Sequence, residues 1–370
     1  MREAERNRFL AYVAHIAVLA AAGLTLAAFL LPNKDGWRLE SSHLGIDGYS
    51  RARFSEMVDG SAFKPFVCRA LLPATTRFIA TVTPEQVKIG ASRFVRSHHW
   101  THSAFKRLGW NTSMAYQFLT ASLLMYICFV GFAYYCAKLA IAASRLDNNP
   151  LLLPFLALLS LYLLPPFFRY ISYIYDPPQL CLYTASLYYL ARLKLTRFVF
   201  FFLLTALNKE TSILLIPIFA VFCWTSIPRR QYVALLILLA SVHVTVRALI
   251  FRHFYYNPGN LIEFTLFDHN LSLATLLNMF SGSGYFALLL AMACWQWKQR
   301  PRFLRIALPF TLLPLIALCL FFGWIDEWRD YYEAYPVVFA LAVNLFYRIN
   351  PEFKKHGNVL QEEHPNVRLA

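Results

Sequence analysis

Phe198-Val-Phe-Phe-Phe-Leu-Leu-Thr-Ala-Leu207 leads into Asn208-Lys209-Glu210-Thr211, and Ser212-Ile-Leu-Leu-Ile-Pro-Ile-Phe-Ala-Val-Phe-Cys223 leads out. An apolar run of this length belongs in a membrane, yet four polar residues divide it. A Lys or Glu within a bilayer costs roughly 2.5–3.5 kcal/mol on insertion scales, so such residues face a protein cavity, pair, or meet a substrate. Ten helical residues rise only ~15 Å, about half of a ~30 Å hydrocarbon layer. Arg192, Lys194 and Arg197 precede the run and Arg229-Arg230 follow it. Short cationic loops mark the cytoplasmic side, so the run begins and ends on that side. The expected structure is a hairpin of two short helices, its polar tip in the outer half of the membrane against protein or a water-filled cavity. A Lys–Glu pair that merely closes a helix break is the structural alternative.

The remaining sequence has the same character. The chain of 370 residues is 58% hydrophobic and 15% charged, with 33 Phe and 21 Tyr, which sets it apart from soluble proteins. Strand-type alternation is lacking, which argues against a barrel. The class read from this is all-α: a polytopic helical membrane protein with about ten transmembrane helices or half-helices. Spans are expected at 9–31, 116–141, 151–164, 180–193, 232–250, 281–297, 306–322 and 334–347, besides the hairpin. Arg2, Arg6 and Arg8 place the N-terminus inside, and counting spans places the C-terminus there too. Residues 1–350 form one transmembrane domain, and 351–370 a polar cytoplasmic tail. The net charge of +15 lies largely in loops that set topology and implies membrane lipids, with no nucleic acid as partner. Seven scattered Cys make neither a disulfide framework nor a zinc ribbon.

The long first loop, 32–113, is expected outside. It holds twelve Lys/Arg against six Asp/Glu, a balance suited to an anionic, lipid-borne substrate or to anionic headgroups. Early in it Asp47 stands between Gly45 and Gly48, a candidate base near a bilayer surface or a plain turn residue. Phe66 to Val82 is apolar with Arg69 and Arg77 projecting, the pattern of an interfacial helix. Near the C-terminus comes Gly323-Trp-Ile-Asp-Glu327-Trp-Arg329-Asp-Tyr-Tyr-Glu333, a loop of carboxylates, one Arg and four aromatics. It suits a solvated cap, or a site in which Arg329 meets a phosphate and Glu327 a sugar hydroxyl. Arg169 and Asp176 lie in a short aromatic loop, and His98, His99 and His102 have a helical spacing open to a metal or to a plain surface cluster. Asn111 and Asn270 each begin a glycosylation sequon. P-loop, dinucleotide, zincin and nucleophile-elbow motifs are absent from the sequence.

With its single first span, long basic loop carrying an early Asp, and Pro65-Phe-Val-Cys-Arg69-Ala-Leu-Leu-Pro73, the chain resembles the multispanning GT-C superfamily of glycosyltransferases, particularly its bacterial relatives. Asn208-Lys209-Glu210-Thr211 is similar to the Arg/Lys-Glu-Thr break of such proteins. The resemblance implies a bacterial inner-membrane enzyme that takes sugar from a polyprenyl-phosphate-linked donor to a glycan, lipid or protein acceptor at the external face. It implies Asp47 as catalytic base; the residues themselves offer Arg69, Asn208, Lys209, Glu210, Glu327, Arg329, Asp176 and Arg169 as candidates to surround the substrate. A single carboxylate stands where many members have a pair, which leaves metal dependence open: the sequence specifies no cofactor, and a divalent metal stays a candidate. A flippase of an anionic lipid-linked substrate and an envelope-assembly scaffold are the alternatives.

Overall fold

The computed structural model describes residues 3–31, 46, 49–144, 146, 150–168, 171–262 and 264–349. Fourteen α-helices and no strand are found among them. Helix α1 covers Glu3–Leu30. Four short or medium helices follow in the first loop: α2 (Phe54–Asp59), α3 (Leu71–Val82), α4 (Glu85–Ser97) and α5 (His99–Leu108). The bundle continues with α6 (Ala115–Ser144), α7 (Leu152–Tyr162), α8 (Asp176–Ala191), α9 (Leu195–Asn208) and α10 (Leu215–Cys223). It ends with α11 (Arg229–His253), α12 (Leu273–Cys294), α13 (Arg302–Phe322) and α14 (Tyr335–Ile349).

Four helices are long and apolar enough to cross a membrane: Phe9–Leu30, Thr112–Ser144, Arg229–His253 and Arg302–Phe322. Only 22% to 39% of their most apolar windows is buried, so most of that surface faces outward. Leu24, Ile237, Leu249 and Leu313 are among the exposed side chains. Such surface is costly in water and stable in lipid. The protein is a helical membrane protein. Helices α7, α9, α10 and α14 are apolar but shorter.

α6 is the hub, packing on α8, α7, α14, α1 and α3. α8 is enclosed on nearly all sides, between α6 and α9, and buries twelve of its sixteen residues. It begins four residues before the expected span, at Asp176. Pro177 and Pro178 occupy the first turn, where a helix has no need of their missing N–H groups.

The broken run is a hairpin. α9 and α10 are joined by the extended residue Lys209 and a tight turn over Glu210–Leu214. The Phe198 and Phe219 rings stack at 5.9 Å, and Phe219 stacks on Tyr232 of α11, which sets these three residues at one level. The break therefore lies at the far end, beside His243 and Arg247 of α11. The starts of α9, α11 and α13 carry Arg192, Lys194, Arg197, Arg229, Arg230, Lys298, Arg302 and Arg305 at the opposite end.

The first loop has more helix than its sequence announced. Only the Leu71–Val82 part of the expected interfacial segment is α-helical, and Phe66–Cys68 is a separate tight turn. α4 and α5 follow as an amphipathic pair, closed by Gly109 in the left-handed conformation.

Candidate functional site

The polar break does not close on itself. Asn208, the last residue of α9, donates from Nδ2 to the Tyr175 carbonyl at 2.9 Å and to Gln179 Oε1 at 3.2 Å, joining the break to the first turn of α8. Gln179 Nε2 donates to Thr211 Oγ1 at 3.1 Å and to Glu333 Oε1 at 3.2 Å. Thr211 Oγ1 donates to the same Glu333 oxygen. Lys209 Nζ lies 3.4 Å from it, and both charged side chains are sealed from solvent. Glu333 thus ties the loop before α14 to the break in α9–α10.

Glu210 faces the other way. Its Oε1 lies 2.5 Å from Arg69 Nη2 and its Oε2 3.5 Å from Arg247 Nη2, so two guanidinium groups share one carboxylate. Arg247 also donates from Nη1 to the Cys68 carbonyl at 3.1 Å, which fixes the residue before Arg69. Arg69 donates to the Tyr175 hydroxyl, its guanidinium 4.6 Å over that ring. Tyr175 stacks on Tyr173 at 5.2 Å, and Tyr173 on Phe66 at the same spacing. Against Tyr173 lies the second cation: the Arg329 guanidinium sits 4.2 Å from the ring centre. Arg329 makes a two-pronged pair with Glu327, at 2.9 and 2.8 Å, and reaches Asp330 at 3.3 Å. Two stacked tyrosines therefore separate one arginine cluster from another.

The charge across this stack is uneven. Arg69, Arg247 and Glu210 sum to one excess positive charge. With every carboxylate counted as ionised, Arg329 with Glu327 and Asp330 sums to one excess negative charge, and Lys209 with Glu333 to none. Asp176, buried at the head of α8, accepts from the Tyr173 N–H at 3.1 Å through Oδ2. Its Oδ1, Asn208 Oδ1 and Glu333 Oε2 are buried acceptors without a hydrogen-bond donor among the described residues. Against the cost of burial, Glu210 holds the Arg69 guanidinium well above its ordinary value, and Glu327 with Asp330 does the same for Arg329. Burial pushes the Glu327 carboxyl up to about 7, with Arg329 opposing and Asp330 and Asp176 adding to the rise. The arrangement can hold an anion on one side of the tyrosine stack and groups rich in hydrogen-bond donors on the other. Glu210 is the most open ion-paired member, with 39% of its side chain exposed, so it marks the mouth.

No family model, curated protein or solved structure matches this chain. Its site must be judged by its own geometry.

Of the residues singled out by sequence, Arg69, Asp176, Asn208, Lys209, Glu210, Glu327 and Arg329 come together here. Asp47 and Arg169 lie outside the described residues. His98, His99 and His102 are exposed on the α4–α5 arm. Among the described residues no three His, Cys, Asp or Glu side chains are grouped so as to hold a metal ion. The Asn270 sequon is closed off: its side chain is buried and caps α13, donating to the carbonyls of Cys319, Leu320 and Gly323 at 2.8–2.9 Å. Sequence reasoning left Tyr173, Tyr175, Gln179, Arg247, Asp330 and Glu333 without site roles. Arg247 carried a usable signal, being an ionisable residue within an apolar run just as Lys209 is. The tyrosines and Gln179 carried none, since rings near a span end look like an interface belt.

Proposed function

We propose that this protein is a polytopic membrane glycosyltransferase of the GT-C type that uses a polyprenyl-phosphate-linked sugar. The observation that carries the reading is the division of charge across the Tyr173–Tyr175 stack. Arg69 and Arg247, sharing the single carboxylate of Glu210, offer a seat for the donor phosphate. Fixed cations in a water-poor site stabilise the charge that grows on a departing phosphate. Asp176, Asn208 and Glu333 supply acceptors for sugar hydroxyls, and Arg329 keeps the surrounding carboxylates in place.

In the reaction the acceptor hydroxyl oxygen attacks the anomeric carbon. The bond from that carbon to the phosphate oxygen breaks, its electron pair leaving with polyprenyl phosphate, and the configuration inverts. The hydroxyl proton passes to a carboxylate, for which Asp47 is the residue proposed. The membrane arrangement that suits this chemistry has about ten spans or half-spans, both termini cytoplasmic, and the hairpin tip open to the external face of a bacterial inner membrane. The positive-inside bias of the α9, α11 and α13 starts supports that orientation.

The test is transfer of labelled sugar from a polyprenyl-phosphate donor by purified protein. Loss of one fixed cation, as in Arg69→Gln, should lower turnover about 10²–10³-fold. Full transfer by Asp47→Asn would remove Asp47 as base. Tight donor binding without transfer by the unaltered protein would favour a flippase, whose broken helices also carry charged tips.

A further inference from the structure

Helix α4 has two unlike flanks. It packs on the start of α6 through the fully buried Val95 and through Ser92, whose hydroxyl donates to the Thr112 carbonyl at 2.8 Å. At about 100° per residue, Val87, Gly90, Ala91 and Phe94 stand to one side of that contact, and Ile89, Arg93 and Arg96 to the other. The two flanks meet α6 at different depths. On the apolar side a groove of about 430 Å³ lies between α4 and Tyr116, Leu119 and Leu123 of α6. On the other, a space of about 750 Å³ lies against Ser113 and Gln117, with Lys88, Arg93 and Arg96 lining it. α6 belongs to a segment long and apolar enough to cross a membrane. From Gln117 to Leu123 it rises about 9 Å, so the apolar groove reaches further toward the membrane interior than the basic space does.

The apolar flank is open. Val87, Phe94 and Trp100 are exposed, Trp100 to 68%, and the Trp100 ring lies edge-on to Phe94 at 6.3 Å. An added Cβ at Gly90 would meet no atom within 4 Å. Leu123 belongs both to the groove and to the outward surface of α6, where Ile127 is exposed one turn further on. The flank thus continues into surface that suits lipid. Charge points the same way. From Glu85 to Leu108 the arm holds five Lys and Arg against the single carboxylate of Glu85, which pairs with Lys88 at 3.2 Å. Arg93 and Arg96 have no carboxylate partner among the described residues. A helix with aromatic residues on one face and cations on the other lies in the plane of a membrane interface, and anionic lipid strengthens its hold. Long arginine side chains can keep their stems along the helix while their heads reach headgroups.

We propose that the α4–α5 arm is an interfacial anchor for anionic phospholipid. Val87, Phe94 and Trp100 enter the acyl-chain region beside α6, and Arg93 and Arg96 take headgroup phosphates. Continuity with the outward surface of α6 favours lipid over a protein partner. The anchor is independent of the proposed transfer reaction, so either can fail alone.

The test uses full-length protein in nanodiscs of phosphatidylcholine, alone or mixed with phosphatidylglycerol. Both leaflets share one composition, so membrane orientation does not enter. Spin labels are placed at Val87→Cys and Ile89→Cys, each with the native cysteines replaced. The label at position 87 is expected to be relaxed by oxygen, which partitions into hydrocarbon, and the label at position 89 by a water-soluble nickel chelate. Native mass spectrometry, on protein that keeps its cysteines, is expected to show phosphatidylglycerol retained over phosphatidylcholine. That preference should fall about fivefold for each of Arg93→Gln and Arg96→Gln, both exposed and replaceable without loss of the fold. Nickel relaxation at both positions would put the flank in water, leave it to a protein partner and overturn the proposal. Oxygen relaxation at both would overturn it too, since the cations would then miss the headgroups. So would equal retention of the two lipids, or a preference unchanged in the Arg93→Gln/Arg96→Gln variant.

Discussion

The pair Lys209–Glu333 offers the sharpest energetic test, because both partners are sealed from solvent and come from segments 124 positions apart in sequence. At 3.4 Å and an effective dielectric of ~20, their attraction is about 5 kcal/mol. Glu333 Oε1 additionally accepts from Gln179 and Thr211, so the carboxylate is held by three partners. Lys209→Met removes the only full charge among them and leaves a buried carboxylate, at a cost of about 3–5 kcal/mol. Glu333→Gln keeps an oxygen for Gln179 and Thr211 while stranding the ammonium. Combining the two restores neutrality. The double variant should therefore be less destabilised than the sum of the single ones, with a coupling of about 2–3 kcal/mol, within the range found for contacting residues. Reversible unfolding in mixed micelles measures all three. Additivity within about 0.5 kcal/mol would refute the pairing, as would a near-neutral Lys209→Met.

Glu327 makes stability pH-dependent. Its carboxyl is raised from an ordinary 4.5 to about 7, so its favourable contribution is complete below 4.5 and is lost as pH rises through 7. The melting temperature of the unaltered protein should fall relative to Glu327→Gln between pH 6 and 8, and a parallel course would contradict the assignment. Asn270→Ala removes the side-chain cap of α13 and should cost about 1–3 kcal/mol, read as a lowered melting temperature. Gly259 has a positive φ of 88°, and an added Cβ would lie 2.7 Å from the Lys64 carbonyl. Gly259→Ala should loosen the contact between the first loop and the segment after α11, seen as faster limited proteolysis within residues 50–110. Orientation can be read with single cysteines in a cysteine-free background. Ser61→Cys should react with an impermeant reagent from outside, and Ser226→Cys only after permeabilisation.

Hydropathy made the bundle legible because a membrane helix must satisfy its backbone internally and present apolar residues to lipid, a demand visible in one segment alone. The hairpin was legible for the same reason: ten residues cannot cross, and like-charged ends must share a side. The α4–α5 pair was not, since its Lys, Arg and His residues resemble a solvated loop until the helical register of Val87, Ala91, Phe94 and Val95 is seen. Within the site, Lys209 and Glu210 announced themselves by cost, but their partners did not. Sequence placed them side by side as one possible ion pair, whereas the chain turns them apart, Lys209 to Glu333 and Glu210 to Arg69 and Arg247. An extended residue at Lys209 followed by a tight turn produces that divergence. Such a choice of partner across a hundred residues is a property of packing, and no local pattern encodes it.

The central claim is that the donor phosphate sits on the excess positive charge of Arg69 and Arg247, across the tyrosine stack from Arg329. A density map of the protein with a non-hydrolysable polyprenyl-phosphate sugar analogue tests it directly. The account predicts the phosphorus in contact with both the Arg69 and Arg247 guanidinium groups, with the sugar reaching toward Asp176 and Glu333. Phosphate density against Arg329 with Arg69 still closed on Glu210 would contradict it.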